Sequence, residues 1–141
     1  KVAVELGAIH FGLLLDEMRT SLTRGFQLHV LGYSLNYILT RLVPTLQAGA
    51  LDHCAPRIMK VLMSDVFGEA ADKKEVEAIA NAMIEAKSSQ SFSSFELLAS
   101  IVAFVPNINM LVPPVHEAVL RVPGGADSLK AVNSARELYR R

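Results

Sequence analysis

Tryptophan is absent from this chain of 141 residues, cysteine occurs once, and 14 basic residues cancel 14 acidic ones. Each shortage excludes something. The single thiol, Cys54, forms no disulfide framework within the chain and fits a reducing compartment, cytosol or nucleus. A formal net charge of zero draws in nucleic acid by no long-range field, so any RNA contact has to be local. No uncharged apolar run approaches the roughly 18 residues that cross a bilayer, and no signal-peptide layout opens the chain, so neither a membrane nor secretion is expected. Nor does a methionine stand at position 1, where Lys1 is found. With an apolar start and a helical pattern reaching the last residue, a segment of a longer polypeptide is expected.

What is present is apolar. Hydrophobic residues make up 51% and charged ones 20%, with a mean hydropathy of +0.31, which excludes a disordered tail and suggests apolar surface that continues into something else. The length suits one domain.

Periodicity and punctuation predict six or seven helices and no strand. The first, about Leu6 to Thr23, gathers Phe11, Leu14, Leu15, Met18 and Leu22 on one face and sets Asp16, Arg19 and Thr23 opposite. Gly25 marks a turn into "RGFQLHVLGYSLNYILTRLV", which carries two apolar faces, one of Phe26, Val30, Tyr33 and Tyr37, the other of Leu28, Leu31, Leu35, Ile38, Leu39 and Leu42. Two polar strips divide them, one of His29, Asn36 and Thr40, the other of Gln27, Ser34 and Arg41. Apolar neighbours on both sides are expected, with Tyr33 buried and His29 in a seam. Pro44 ends this hairpin. Asp52 is placed to cap a third helix that runs to about Phe67, with Leu51, Ala55, Ile58, Leu62 and Val66 facing inward and His53, Arg57, Lys60 and Ser64 outward.

Residues 69–88, rich in Glu, Lys and Ala, read as a weakly amphipathic insertion and as the most mobile part. Ser93 with Glu96 forms a capping-box pattern before Phe95, Leu98, Ile101, Val102 and Val105. The prolines of "VPPVHEAVLRV" suit a first helical turn, and "VPGGAD" turns at Gly124 and Gly125, with Asp127 placed to cap a last helix. Helix pairs of this size, alternating one-sided and two-sided, predict an all-α fold, an α-solenoid of antiparallel hairpins, with an irregular helical bundle as the alternative.

No catalytic pattern emerges. His53 and Cys54 are adjacent, so they point about 100° apart on a helix, and no second Cys/His pair sits at ligand spacing. His10, His29 and His116 stand alone on their helices. Asp65, Glu69 and Asp72 match no calcium loop and lie beside Lys73 and Lys74. The glycines of "VPGGAD" lack the rest of a phosphate loop. No cofactor, metal or small-molecule substrate is expected. Two basic groups remain as candidate RNA or partner contacts, Arg57 with Lys60, and Arg136 with Arg140 and Arg141.

Three stretches, "SLTRGFQLHVLGYSLNYIL", "GALDHCAPRIMKVLMSDVFGEAADKKEVE" and "EAKSSQSFSSFELLA", occur in this order. They resemble the DRIM family, the giant HEAT-repeat scaffold of the small-subunit processome. The resemblance covers roughly residues 18 to 100, and the last forty residues or so match only as generic helical repeat. Its signature glycine falls on Gly25 and its signature helix on Phe26 to Leu42. The resemblance implies HEAT-like hairpins and a nucleolar protein that supports processing of the small-subunit ribosomal RNA precursor by bracing other factors. It implies as partners other processome proteins, the rest of its own repeat array, pre-ribosomal RNA and U3 small nucleolar RNA, and it brings no catalytic residues. A scaffold requires stacked hairpins and a partner surface. An adaptor gripping RNA requires Arg/Lys faces continuous in space, and an enzyme requires a pocket with convergent titratable groups.

Overall fold

Apolar residues recurring at three- and four-residue spacing form helices and nothing else. Among the residues described in the computed structural model, 2–21, 26–67, 90–122 and 126–140, no strand occurs. Helix α1 spans Val2–Ser21, α2 Phe26–Leu42, α3 Ala55–Phe67, α4 residues 90–101, α5 Phe104–Arg121 and α6 Ala126–Arg140. A 3₁₀ turn at Val43–Thr45 follows α2. The expected insertion at 69–88 and the turn at Gly25 lie outside the described residues.

Helix α1 starts before the expected Leu6, because the chain kinks at Gly7 (φ 70°, ψ −176°) and the predicted helix is the part beyond the kink. A Cβ at Gly7 would meet nothing within 4 Å, so the positive φ, and not a lack of space, calls for glycine there. Phe11 and Leu15 are buried, with Leu14 and Met18 packed beside them.

Helix α2 buries one of its two predicted faces. Leu31, Leu35, Leu39 and Leu42 enter the core, each such leucine contributing on the order of 1.5–3 kcal/mol. The other face is open, with Tyr33 61% and Tyr37 46% exposed and Val30 exposed as well, so the expected burial of Tyr33 is corrected. Helices α1 and α3 cover α2. A helical wheel reports that a face is apolar, not which neighbour covers it. The side chains of Phe26, Leu28 and His29 lie outside the described residues.

Packing runs α1 on α2 and α3, α2 on α3, α3 on α5, and α5 on α6. The helices α1, α3 and α5 thus stack as one layer. Asn36 ties α2 to α4 as a second layer, its Nδ2 donating to the Gln90 carbonyl and to Ser94 Oγ, both at 3.1 Å. One apolar core runs through these layers, from Phe11 through Leu35, Ile58, Leu98 and Val115 to Leu138. This stacking of helices is the all-α repeat architecture that the sequence predicts.

Five local readings change. Asp52 lies in the turn before α3, and its Oδ1 accepts the backbone N–H of Ala103 at 3.1 Å, bracing the junction of α4 and α5. Beside it Gly49, at φ 84°, donates its N–H to the Ile101 carbonyl at 2.6 Å. Ser93 is no N-cap, because α4 already includes residues 90–93, and Val105 lies in the first turn of α5 with its side chain 85% exposed. Pro113 and Pro114 sit inside α5, which starts at Phe104 and runs on without the N–H donors these residues lack. Asp127 falls within the first turn of α6, which begins at Ala126.

Candidate partner-binding surface

Polar residues set among apolar ones in these helices act as staples between them. Asn36, read as part of a polar strip, makes the α2–α4 bridge, and Ser94 Oγ in turn donates to the Gln90 carbonyl at 2.9 Å. Buried Ser91 donates to the carboxylate of Asp65, joining α4 to α3. Gly32 of α2 makes room for that carboxylate, since a Cβ there would stand 3.2 Å from Asp65 Oδ2. Thr40 of the same strip donates to the Asn36 carbonyl of its own helix.

The first basic group is divided. Arg57 reaches back to α1, its Nε 3.3 Å from Asp16 Oδ2, with its side chain 45% exposed. Its guanidinium lies over Gly12, where an added Cβ would come within 2.5 Å of Nη1. Beneath it Cys54 is fully buried and donates to the Leu51 carbonyl at 3.3 Å. Burial pushes this thiol up from 9.0 to about 11, with Arg57 pulling in the opposite direction, so Cys54 is not a reactive cysteine. Lys60 is exposed on the same helix and makes no ion pair among the described residues.

The second basic group is set differently. Arg136 and Arg140 are exposed on α6, at the edge of an open groove of about 440 Å³ between α5 and α6. Val119, Val132, Ala135 and Tyr139 supply its apolar lining. The hydroxyl of Tyr139 donates to the Val112 carbonyl at 3.1 Å, which ties α6 to α5. Arg141 lies outside the described residues. The two groups sit on helices that each pack against α5, and among the described residues no hydrogen bond or ion pair joins them. A further groove of about 450 Å³ lies between α3 and α5, lined by Met63, Phe67, Pro114, Glu117 and Arg121, the last two paired at 3.0 Å.

Apolar side chains also line the outside. Leu6, Ile9 and Leu13 form an exposed stripe on α1, Val30, Tyr33 and Tyr37 one on α2, and Leu129, Val132 and Tyr139 one on α6. His10, His53 and His116 are exposed, and among the described residues no group of three or more His, Cys, Asp or Glu could hold a metal ion. Glu69, Asp72, Gly124 and Gly125 lie outside the described residues. Among the described residues no helix is long and apolar enough to cross a membrane. The sequence reading had missed the roles of Gly12, Gly32, Val119 and Tyr139. The two mid-helix glycines were a signal, because glycine weakens a helix unless a neighbour comes close.

The model of a family described as the U3 small nucleolar RNA-associated protein 20 domain matches residues 1–141, so the likeness also takes in the last forty residues or so. The U3 small nucleolar RNA-associated protein 20 of Schizosaccharomyces pombe is 31% identical over 138 residues, 96% of this chain and 5% of that protein. The protein of the same name from Saccharomyces cerevisiae is 31% identical over 141 residues, 100% of this chain and 6% of that protein. The chain therefore spans only about a twentieth of the length of these relatives.

Proposed function

Because the chain belongs to the U3 small nucleolar RNA-associated protein 20 domain family, we propose that it serves as a non-catalytic scaffold segment of a nucleolar pre-ribosome assembly factor. It supports processing of the small-subunit ribosomal RNA precursor within the small-subunit processome. The observation that carries this reading is a stack of helices whose first and last hairpins leave apolar faces open, in a chain about a twentieth as long as its relatives. A sealed domain buries such stripes. A segment of a repeat array presents them to the next repeat or to a partner. In this reading residues 1–141 are one repeat segment, and its partners are neighbouring repeats, processome proteins, pre-ribosomal RNA and U3 small nucleolar RNA.

Direct RNA grip through both basic groups is the weaker reading. Arg57 already has Asp16 as its partner, and α5 packs between the helices that carry the two groups. Affinity purification of the tagged full-length protein from nuclei tests the proposal. Recovery of U3 RNA and small-subunit precursor RNA, with loss of mature small-subunit RNA when the protein is depleted, is the expected outcome. Normal small-subunit RNA after complete depletion overturns it.

A further inference from the structure

The chain leaves α3 at Phe67 and enters α4 at Gln90. Between them stand residues 68–89, a length that reaches roughly 70 Å when extended. The two helix ends nevertheless meet. Buried Ser91, in the first turn of α4, donates to the carboxylate of Asp65 in the last turn of α3. From α2, Asn36 Nδ2 donates to the Gln90 carbonyl and to Ser94 Oγ, both at 3.1 Å, and Gly32 leaves room for the Asp65 carboxylate. Three helices thus converge on one polar clasp. The apolar core reaches the same place, with Val66 and Phe67 packed on it from the end of α3 and Phe92 and Phe95 from the start of α4.

We infer that the clasp of Asp65, Ser91 and Asn36 sets the register of α4 on α2 and α3, so that the stack does not sense the length of residues 68–89. In an ordinary helical hairpin a short turn fixes where the second helix begins. Here side chains take over that task. A connection of this length holds nothing in register, because the entropy of loop closure changes only slowly as residues are added. Apolar contacts alone are permissive, being non-directional. The clasp is not. Sliding α4 by one residue brings Gln90 or Phe92 to the place of Ser91, beside the Asp65 carboxylate, and strips that carboxylate of its hydroxyl donor. Asp65 in turn seats only opposite Gly32, where a Cβ would stand 3.2 Å from its Oδ2. The device lets this position carry a longer or shorter segment without shifting the helices that flank it.

The test replaces residues 69–88 of the full-length protein with Gly/Ser linkers, one of about eight residues and one of about forty, and follows amide exchange in α2, α3 and α4. Exchange should stay within about threefold of the parent for each halving or doubling of length, which is the effect of loop closure alone. A second measurement starts from the folded parent. Cutting it at a protease site introduced within 69–88 should leave protection of α3 and α4 within the same threefold range. Ser91→Ala should speed exchange in the first two turns of α4 about tenfold in the parent and in both linker variants, because a buried hydrogen bond to a charged group is lost. A linker variant that does not fold, or protection of α3 or α4 that falls tenfold or more after replacement or cutting, overturns the inference, since the core then needs residues 68–89. So does a Ser91→Ala variant with α4 exchange unchanged, which leaves register to apolar packing.

Discussion

Arg57 and Arg136 stand on outward faces of their helices and carry the same guanidinium, but one braces two helices and the other stands exposed at the edge of an open groove. The difference lies in what faces them. Across from Arg57, α1 offers Asp16 as a counter-charge and Gly12 as a place to lie, so the side chain is held between two helices. Across from Arg136 there is a shallow apolar trough and no carboxylate among the described residues. Nothing in the local sequence around either arginine tells them apart. A basic residue on a helix face becomes structure or surface according to the residues that another helix brings to it.

The same contrast holds for apolar residues within α2, and the largest expected effect tests it. Leu39→Ala opens a cavity in a closed region and should cost about 3 kcal/mol, read as faster amide exchange across α2 in the full-length protein. Tyr33→Ala on the opposite face should cost no more than about 0.5 kcal/mol if that face stays open, and several times more if a neighbouring repeat covers it.

Next in size is a pH effect at Cys54. The unfolded thiol ionises near 9.0 and the folded one only near 11, so the unfolded state loses its proton first as pH rises. Stability that is complete below pH 9 should decline between 9 and 11 by on the order of 2–3 kcal/mol. Cys54→Ala should remove this contribution to the alkaline decline, and the comparison needs only exchange rates of α3 at several pH values. Thiol reagents should label Cys54 only under conditions that open the fold.

Gly12→Leu comes third, at about 1–3 kcal/mol, since a branched side chain drives Arg57 off its seat and presses on Cys54, which already lies 3.4 Å from where a Cβ would stand. Gly12→Ala should be close to neutral, because displacing the flexible end of Arg57 is offset by better helix propensity. Equal effects of Leu and Ala would show that Arg57 and Cys54 do not crowd this position.

Much of the core was legible. The leucines of α2 recur at 31, 35, 39 and 42 and all are buried, because that spacing fits one side of a helix whichever neighbour covers it. Asn36 was legible as a seam for the same reason. What the sequence concealed were relations between helices. Asp52 looks like a local cap, but its carboxylate serves Ala103 at the far end of another hairpin. Pro113 and Pro114 look like a helix start and lie inside α5, where the packing of Leu111 and Val115 keeps the helix going past the missing donors. The capping box at Ser93 is a correct local pattern that α4 overrides, because Gln90, Ser91 and Ser94 are engaged by α2 and α3. The arginine groove was hidden because its apolar lining pairs Val119 of α5 with Val132, Ala135 and Tyr139 of α6.

The most direct measurement compares Arg57→Ala with Arg136→Ala/Arg140→Ala in the full-length protein, following α3 exchange and recovery of partner proteins in the same cells. Arg57→Ala should loosen α3 slightly, by less than about 1 kcal/mol for a half-exposed pair, and leave partner recovery unchanged. The double variant should leave exchange unchanged and lower recovery of a partner protein severalfold. Partner or RNA loss in Arg57→Ala with α3 exchange intact, or unchanged recovery in the double variant, would contradict the division between brace and contact.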